Sequence, residues 1–194
     1  LDMVKANESK NKYNYKYIKQ PDKKTSLKRE VFDLVETLVY ALVIVTITFT
    51  FLFKMAGVQG ESMIYTLYNQ DRLIISNLFY KPKNGDIVVL SIPEIFDKPI
   101  IKRVIATEGQ TVDISDKGDV YIDGVKIDEP YIHDKTNKKL HNKYPYLVPQ
   151  GHIFIMGDNR NNSKDSRDVG CVNVKNIMGK AVFRFLPFNR IGVL

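Results

Sequence analysis

The sequence predicts a mainly β protein, an antiparallel-sheet domain behind one N-terminal transmembrane helix, on three observations. Residues 38–53 are sixteen positions without a charge. After them, runs of four to eight residues rich in Ile and Val recur between Asn, Gly, Pro and Asp, the punctuation of short strands. Residues 120–127, Val-Tyr-Ile-Asp-Gly-Val-Lys-Ile, alternate on both sides of Asp-Gly, the dipeptide that a type I′ hairpin requires.

Residues 1–33 read as a basic tail. The first 29 residues hold nine Lys or Arg against Asp2, Glu8 and Asp22, which accounts for most of the net charge of +7. The segment is polar and rich in Lys and Asn, the composition of a flexible arm. It has no recognition-helix or stacking pattern, so nucleic acid is not an expected partner. Residues 34–57 read as the anchor. Sixteen apolar residues make about 24 Å of helix against a hydrocarbon core of about 30 Å; Met55, Ala56 and Val58 continue the apolar character and Lys54 can snorkel. A core helix commonly has about 10 to 14 apolar residues, and this run is longer, apolar or Thr all round, with no polar face to meet solvent. A cleavable leader would carry a shorter apolar region and a better small-residue site than Ala56-Gly57-Val58. With the cations on the N-terminal side, the positive-inside rule predicts a single-pass protein of the cell membrane, the tail cytoplasmic and residues 58–194 extracellular. The lipid bilayer is then a partner.

In the outer domain, residues 72–75, 86–91, 100–107 and 111–115 read as strands, followed by the 120–127 hairpin. Residues 128–149 are polar and read as a long surface loop. Residues 152–156 and 180–186 supply two more strands, the second ended by Pro187.

Cys171 is the sole cysteine and His133, His141 and His152 lack metal spacing, so no disulfide, zinc site or cofactor is expected. An EF-hand counted from Asp158 would need Gly and Glu where Ser163 and Val169 stand. Ser62, His152 and Asp158 make a triad on paper, but no pattern links them.

Three blocks do suggest chemistry. Gly60-Glu61-Ser62-Met63 offers a serine, which needs a proton acceptor to become a nucleophile. Lys102 interrupts the apolar strand 100–105; pointing outward it is an ordinary surface lysine, and pointing inward it loses basicity by desolvation and can act as a base. Residues 156–168 pack Gly157, Asp158, Asn159, Arg160, Ser163, Asp165 and Arg167 into one stretch, a hydrophilic turn or a support for a site.

Behind an anchor and in this order, the blocks resemble the signature boxes of type I signal peptidases, membrane-bound Ser-Lys proteases, in their Gram-positive form. The resemblance also covers Thr66-Leu67, Gly85-Asp86-Ile87-Val88-Val89 and Asp128-Glu129-Pro130-Tyr131. It implies an extracytoplasmic sheet domain of the signal-peptidase type, with Ser62 as nucleophile and Lys102 as general base. Ser163 would hydrogen-bond and hold the lysine, while Asp165 with Arg167 and Asp158 with Arg103 would form supporting ion pairs. The oxyanion position falls at the Ser62 N–H and Gly60, where some members carry a hydroxyl; glycine supplies none, which leaves the second donor unassigned. Met63 and Tyr65 are candidates for a substrate pocket or, equally, for core. The implied substrates are secretory preproteins with small residues before the cleavage site. Two departures stand out: Tyr65 replaces the usual proline, and Ala106-Thr107-Glu108-Gly109 replaces Gly-Leu-Pro-Gly. Three other classes stay open, namely a non-catalytic anchored relative acting in binding or assembly, a self-cleaving Ser-Lys repressor, and a specialised signal peptidase.

Overall fold

The computed structural model describes residues 23–136 and 143–194. The tail at residues 1–22 and the part of the loop at 137–142, His141 included, lie outside the described residues. The chain divides between Thr46 and Ile47 into two compact units.

Helix α1, Lys23–Leu52, contains a stretch, Leu27–Thr48, long and apolar enough to cross a membrane. Leu38, Leu42 and Ile44 are each more than 60% exposed along it. Its polar side chains find partners within the helix: Thr37 and Thr46 donate to the carbonyls of Asp33 and Leu42, and the Tyr40 hydroxyl donates to Glu36. A helix in lipid must satisfy its polar groups internally in this way.

The helix ends earlier than the residue pattern suggests. Phe53–Gly57, read above as the end of the anchor, is strand β1, paired antiparallel with β2, Arg72–Ser76. A short apolar run is compatible with helix or strand, and here the pairing partner decides. The strands that follow are β3 Ile87–Leu90, β4 Ile100–Thr107, β5 Thr111–Ile114, β6 Val120–Ile122, β7 Val125–Lys126, β8 Tyr146–Leu147 and β9 His152–Met156. A four-residue helix α2, Ser166–Val169, then precedes β10 Val172–Asn173, β11 Ile177–Leu186 and β12 Gly192–Val193. The larger sheet runs β1-β2-β11-β3-β4-β9-β10 with β12 beside β11; the smaller runs β7-β6-β5-β8. Every described pairing is antiparallel. The β6–β7 turn has Asp123 at φ 52 and Gly124 at φ 78, the two positive angles of a type I′ turn.

Two features of packing place the site. Strand β4 is buried at every position between its terminal residues, because it lies between β3 and β9 with both faces covered. A lysine on this strand therefore faces the interior. Ile105, Ala106, Phe154 and Met156 of the larger sheet share one core with Val112, Ile114, Val120 and Ile122 of the smaller. Met63 and Leu67 enter a second core with Val58, Leu73, Ile87 and Ile101. The Leu67 N–H donates to the Met63 carbonyl at 2.8 Å, so the two side chains share one face of a single helical turn. At about 1.5–3 kcal/mol for each buried side chain, they fasten the segment after Ser62 to the sheet.

The 128–149 segment is not simply a surface loop. It contains β8, and Thr136 is 4% exposed. The side chain of Glu129 is buried as well.

Candidate active site

Ser62 meets Lys102, the third residue of β4, with Lys102 Nζ 2.6 Å from Ser62 Oγ. Lys102 is 4% exposed. Burial pushes its ammonium down from the ordinary 10.5 to about 8; Asp165 and Asp158 pull the other way, and Arg167 adds to the lowering. An amine with a value near 8 can accept a proton at physiological pH, which an unperturbed lysine cannot.

The third block folds beneath this pair as a turn with carboxylates at its centre. Asp165 caps α2 in a capping box with Asp168: it accepts the Arg167 N–H, and its own N–H donates to Asp168 Oδ2 at 3.0 Å. Its carboxylate also accepts Arg167 Nε and Nη2, both at 2.8 Å, the Gly157 N–H at 3.0 Å and the Ser163 hydroxyl at 2.7 Å. Burial alone would raise this carboxyl; the Arg167 contacts, with Gly157 and Ser163, hold it below the usual range. Among the described residues no hydrogen bond joins Ser163 to Lys102. Ser163 gives its proton to Asp165, and the single hydrogen bond of Lys102 among the described residues goes to Ser62. Asp165 is an ionised carboxylate, and a hydroxyl bond to a charged acceptor is the strong kind.

Arg103 and Asp158 form a second buried pair. Arg103 grips Asp158 through both carboxylate oxygens, at 2.9 and 2.7 Å, and donates to the Gly85 carbonyl at 2.7 Å. The Thr66 hydroxyl donates to the same carboxylate, and the Tyr131 ring lies 3.9 Å from the Arg103 guanidinium carbon.

A third buried pair has no role in the sequence reading. Arg160, 1% exposed, forks onto Glu129 and donates from Nε to the Gly157 carbonyl at 3.1 Å. Arg167 also donates to Thr136. The Asp-Glu-Pro-Tyr and Gly-Asp-Asn-Arg segments carried the signal for the Glu129 pair, but their separation by 31 residues hides the pairing.

At Gly60 the structure gives no oxyanion donor. Its N–H is engaged by Asn69 Oδ1 at 3.3 Å. The Ser62 carbonyl accepts the Asn159 N–H at 3.0 Å, whereas the Ser62 N–H has no acceptor among the described residues. Met63, 2% exposed, is core. Tyr65 is 54% exposed, with its ring centroid 4.8 Å from that of His133. Neither lines the cleft of about 310 Å³ that opens beside β4, whose walls include Ala56, Gly57, Val89, Ile101 and Met178.

Gly157 is one of the places where the third block lies against the first. A Cβ there would fall 2.5 Å from the Ser62 carbonyl oxygen and closer still to Ser163 Oγ. Gly157→Ala is expected to push Ser62 out of register with Lys102 and to lower kcat about a hundredfold, the cost of a misplacement of ~1 Å. Steady-state cleavage kinetics with a parallel melting curve check this.

Fold and site together define a class: a β protein with an N-terminal apolar helix and a serine in contact with a buried lysine. Residues 31–186 match the family described as signal peptidase, peptidase S26. The "Probable signal peptidase I-1" of Synechocystis sp. is 39% identical over 167 residues, covering 81% of this chain and 83% of that protein. "Signal peptidase I P" of Bacillus subtilis subsp. natto is 36% identical over 182 residues, covering 88% and 97%. A crystal structure of a signal peptidase I from Enterococcus faecalis V583 is similar at 29% identity and a TM-score of 0.46, covering 53% of this chain and 98% of that one. The chain belongs to the signal peptidase family, peptidase S26.

Proposed function

We propose that the protein is a membrane-anchored serine endopeptidase that removes N-terminal signal peptides from secretory preproteins through a Ser62–Lys102 dyad. The observation that carries the mechanism is the 2.6 Å contact between Ser62 Oγ and a buried Lys102 Nζ. Neutral Lys102 takes the hydroxyl proton as Ser62 Oγ attacks the scissile carbonyl. The free Ser62 N–H faces the developing oxyanion, a donor worth about 3 kcal/mol in such sites. The new ammonium gives its proton to the departing amine, leaving an acyl ester on Ser62. Lys102 then draws a proton from the water that hydrolyses the ester. Asp165 and Asp158 stabilise the ammonium whenever it forms, and burial keeps it from being permanent.

The cleft beside β4 has an apolar floor of Ala56, Gly57, Val89 and Ile101 with Lys54, Gln59 and Lys98 also on its walls, and the apolar part suits small residues at the first and third positions before the cut. Lys and Arg concentrate before the apolar stretch of α1, which supports a cytoplasmic N-terminus and a catalytic domain outside. The non-catalytic alternative has no support, since serine and lysine are both present and in contact.

The test is incubation of the full chain in detergent with a preprotein bearing small residues before its cleavage site. The expected result is a mature N-terminus starting directly after the small residue, and no product with Ser62→Ala. Equal cleavage by Ser62→Ala, or none by the native protein across several preproteins, overturns the reading.

A further inference from the structure

Outside the dyad and its three buried pairs, one more buried carboxylate gathers arginines, and it does so on the far side of the nucleophile segment. Asp71, fully buried, lies between the Ser62 segment and β2. It accepts the Tyr68 N–H at 3.0 Å, Arg190 Nη2 at 2.8 Å and, more loosely, Arg184 Nη1 at 3.4 Å. Arg184 comes from β11, more than a hundred residues along the chain. Its Nη1 donates to the Thr66 carbonyl at 2.9 Å and its Nε to the Arg190 carbonyl. The Arg190 guanidinium in turn lies 4.3 Å from the centre of the Tyr68 ring.

Thr66 is therefore held from two sides. Its hydroxyl is tied to Asp158, and through Asp158 to Arg103, the neighbour of Lys102 on β4. Its carbonyl is tied to Arg184 and Asp71. Its N–H closes the turn onto the Met63 carbonyl at 2.9 Å, one residue after Ser62. Hydrogen bonds thus run from the C-terminal strand pair, through Thr66, to the strand that carries the base.

We infer that Arg184 is a positioning residue for the cleavage reaction: oriented by Asp71 and the Arg190 carbonyl, it holds the Thr66 carbonyl and thereby sets Ser62 against Lys102. This rests on the proposed dyad. The guanidinium is suited to the task because its planar fork serves the Arg190 carbonyl from Nε and the Thr66 carbonyl and Asp71 from Nη1 at fixed angles, whereas the donors of an ammonium all sit on one nitrogen. Its side chain is 16% exposed and lies outside the substrate cleft, so it acts through the loop and not on the substrate.

The experiment is single-turnover cleavage of a preprotein by the full-length enzyme in detergent, comparing native protein with Arg184→Lys and Arg184→Met. A rate constant separates from an amplitude here: misfolded molecules lower the amplitude and leave the rate constant alone. The expected result is a rate constant reduced about 10- to 100-fold in both variants. KM should change less than about twofold, because bound substrate does not touch Arg184. If Arg184→Met does not fold, Arg184→Lys, which keeps a cation beside Asp71, decides alone. A native rate constant in the folded fraction, whatever the melting temperature, overturns the inference and makes Arg184 a structural residue. Absence of Ser62-dependent cleavage by native enzyme would instead overturn the dyad, so the two failures are distinguishable.

Discussion

Lys102→Met is expected to abolish cleavage and to make the protein more stable at neutral pH. The loss of activity follows from the removal of the only side chain among the described residues that hydrogen-bonds the Ser62 hydroxyl. In serine hydrolases the loss of nucleophile or base lowers kcat by at least about 10⁴-fold. Lys102→Arg should be as inactive, since a guanidinium does not give up its proton in this range. The gain in stability follows from linkage. Burial lowers the lysine from 10.5 to about 8, so between those values the unfolded chain binds the proton and the folded chain does not. Stability of the native protein therefore rises as pH climbs from 8 to 10.5, and below 8 the folded state carries the full penalty of the buried ammonium. At 1.36 kcal/mol per pH unit that penalty is about 3 kcal/mol. A methionine of similar length does not carry it. Chemical denaturation at pH 7 and pH 10 checks both parts: the variant should be more stable at pH 7, and its advantage should shrink by pH 10.

Arg167→Met should act in the opposite direction. Arg167 and Asp165 are both fully buried, and removing the cation leaves a carboxylate in the interior with only neutral donors. Breaking a buried pair from one side costs about 3–5 kcal/mol, a large part of the stability of an ordinary domain. The same change removes a cation that helps to lower Lys102, so any remaining activity should need a higher pH. Equilibrium unfolding together with a pH–rate profile reads both effects. A variant as stable as the native protein would show that Asp165 takes up a proton at little cost.

The contrast between these variants shows where the sequence was informative. Lys102 stood out because a charge interrupts an apolar strand, and β4 proved buried on both faces. Asp-Gly at 123–124 specified its turn by backbone angle alone. Strands β8, β10 and β12 have two residues each, too few to show alternation, and Phe53–Gly57 was indistinguishable from the end of a helix until β2 supplied its partner. Within the site, the pairs on adjacent blocks could be named, but the Ser163 proton could not be placed. It goes to Asp165, a buried carboxylate two residues along whose burial only the folded capping box reveals. Glu129 and Thr136 were hidden in a polar segment whose composition says surface, although their partners, Arg160 and Arg167, lie at the centre of the turn.

The central claim is that a buried, neutral Lys102 activates Ser62, and the pH dependence of kcat/KM for preprotein cleavage tests it most directly. The account predicts a rate that falls tenfold per unit below an apparent value of about 8 and levels off above it, as neutral amine accumulates. A profile that is flat from pH 6 to pH 9, or one that rises through the ordinary carboxylate range of about 4 and stays level thereafter, would contradict it.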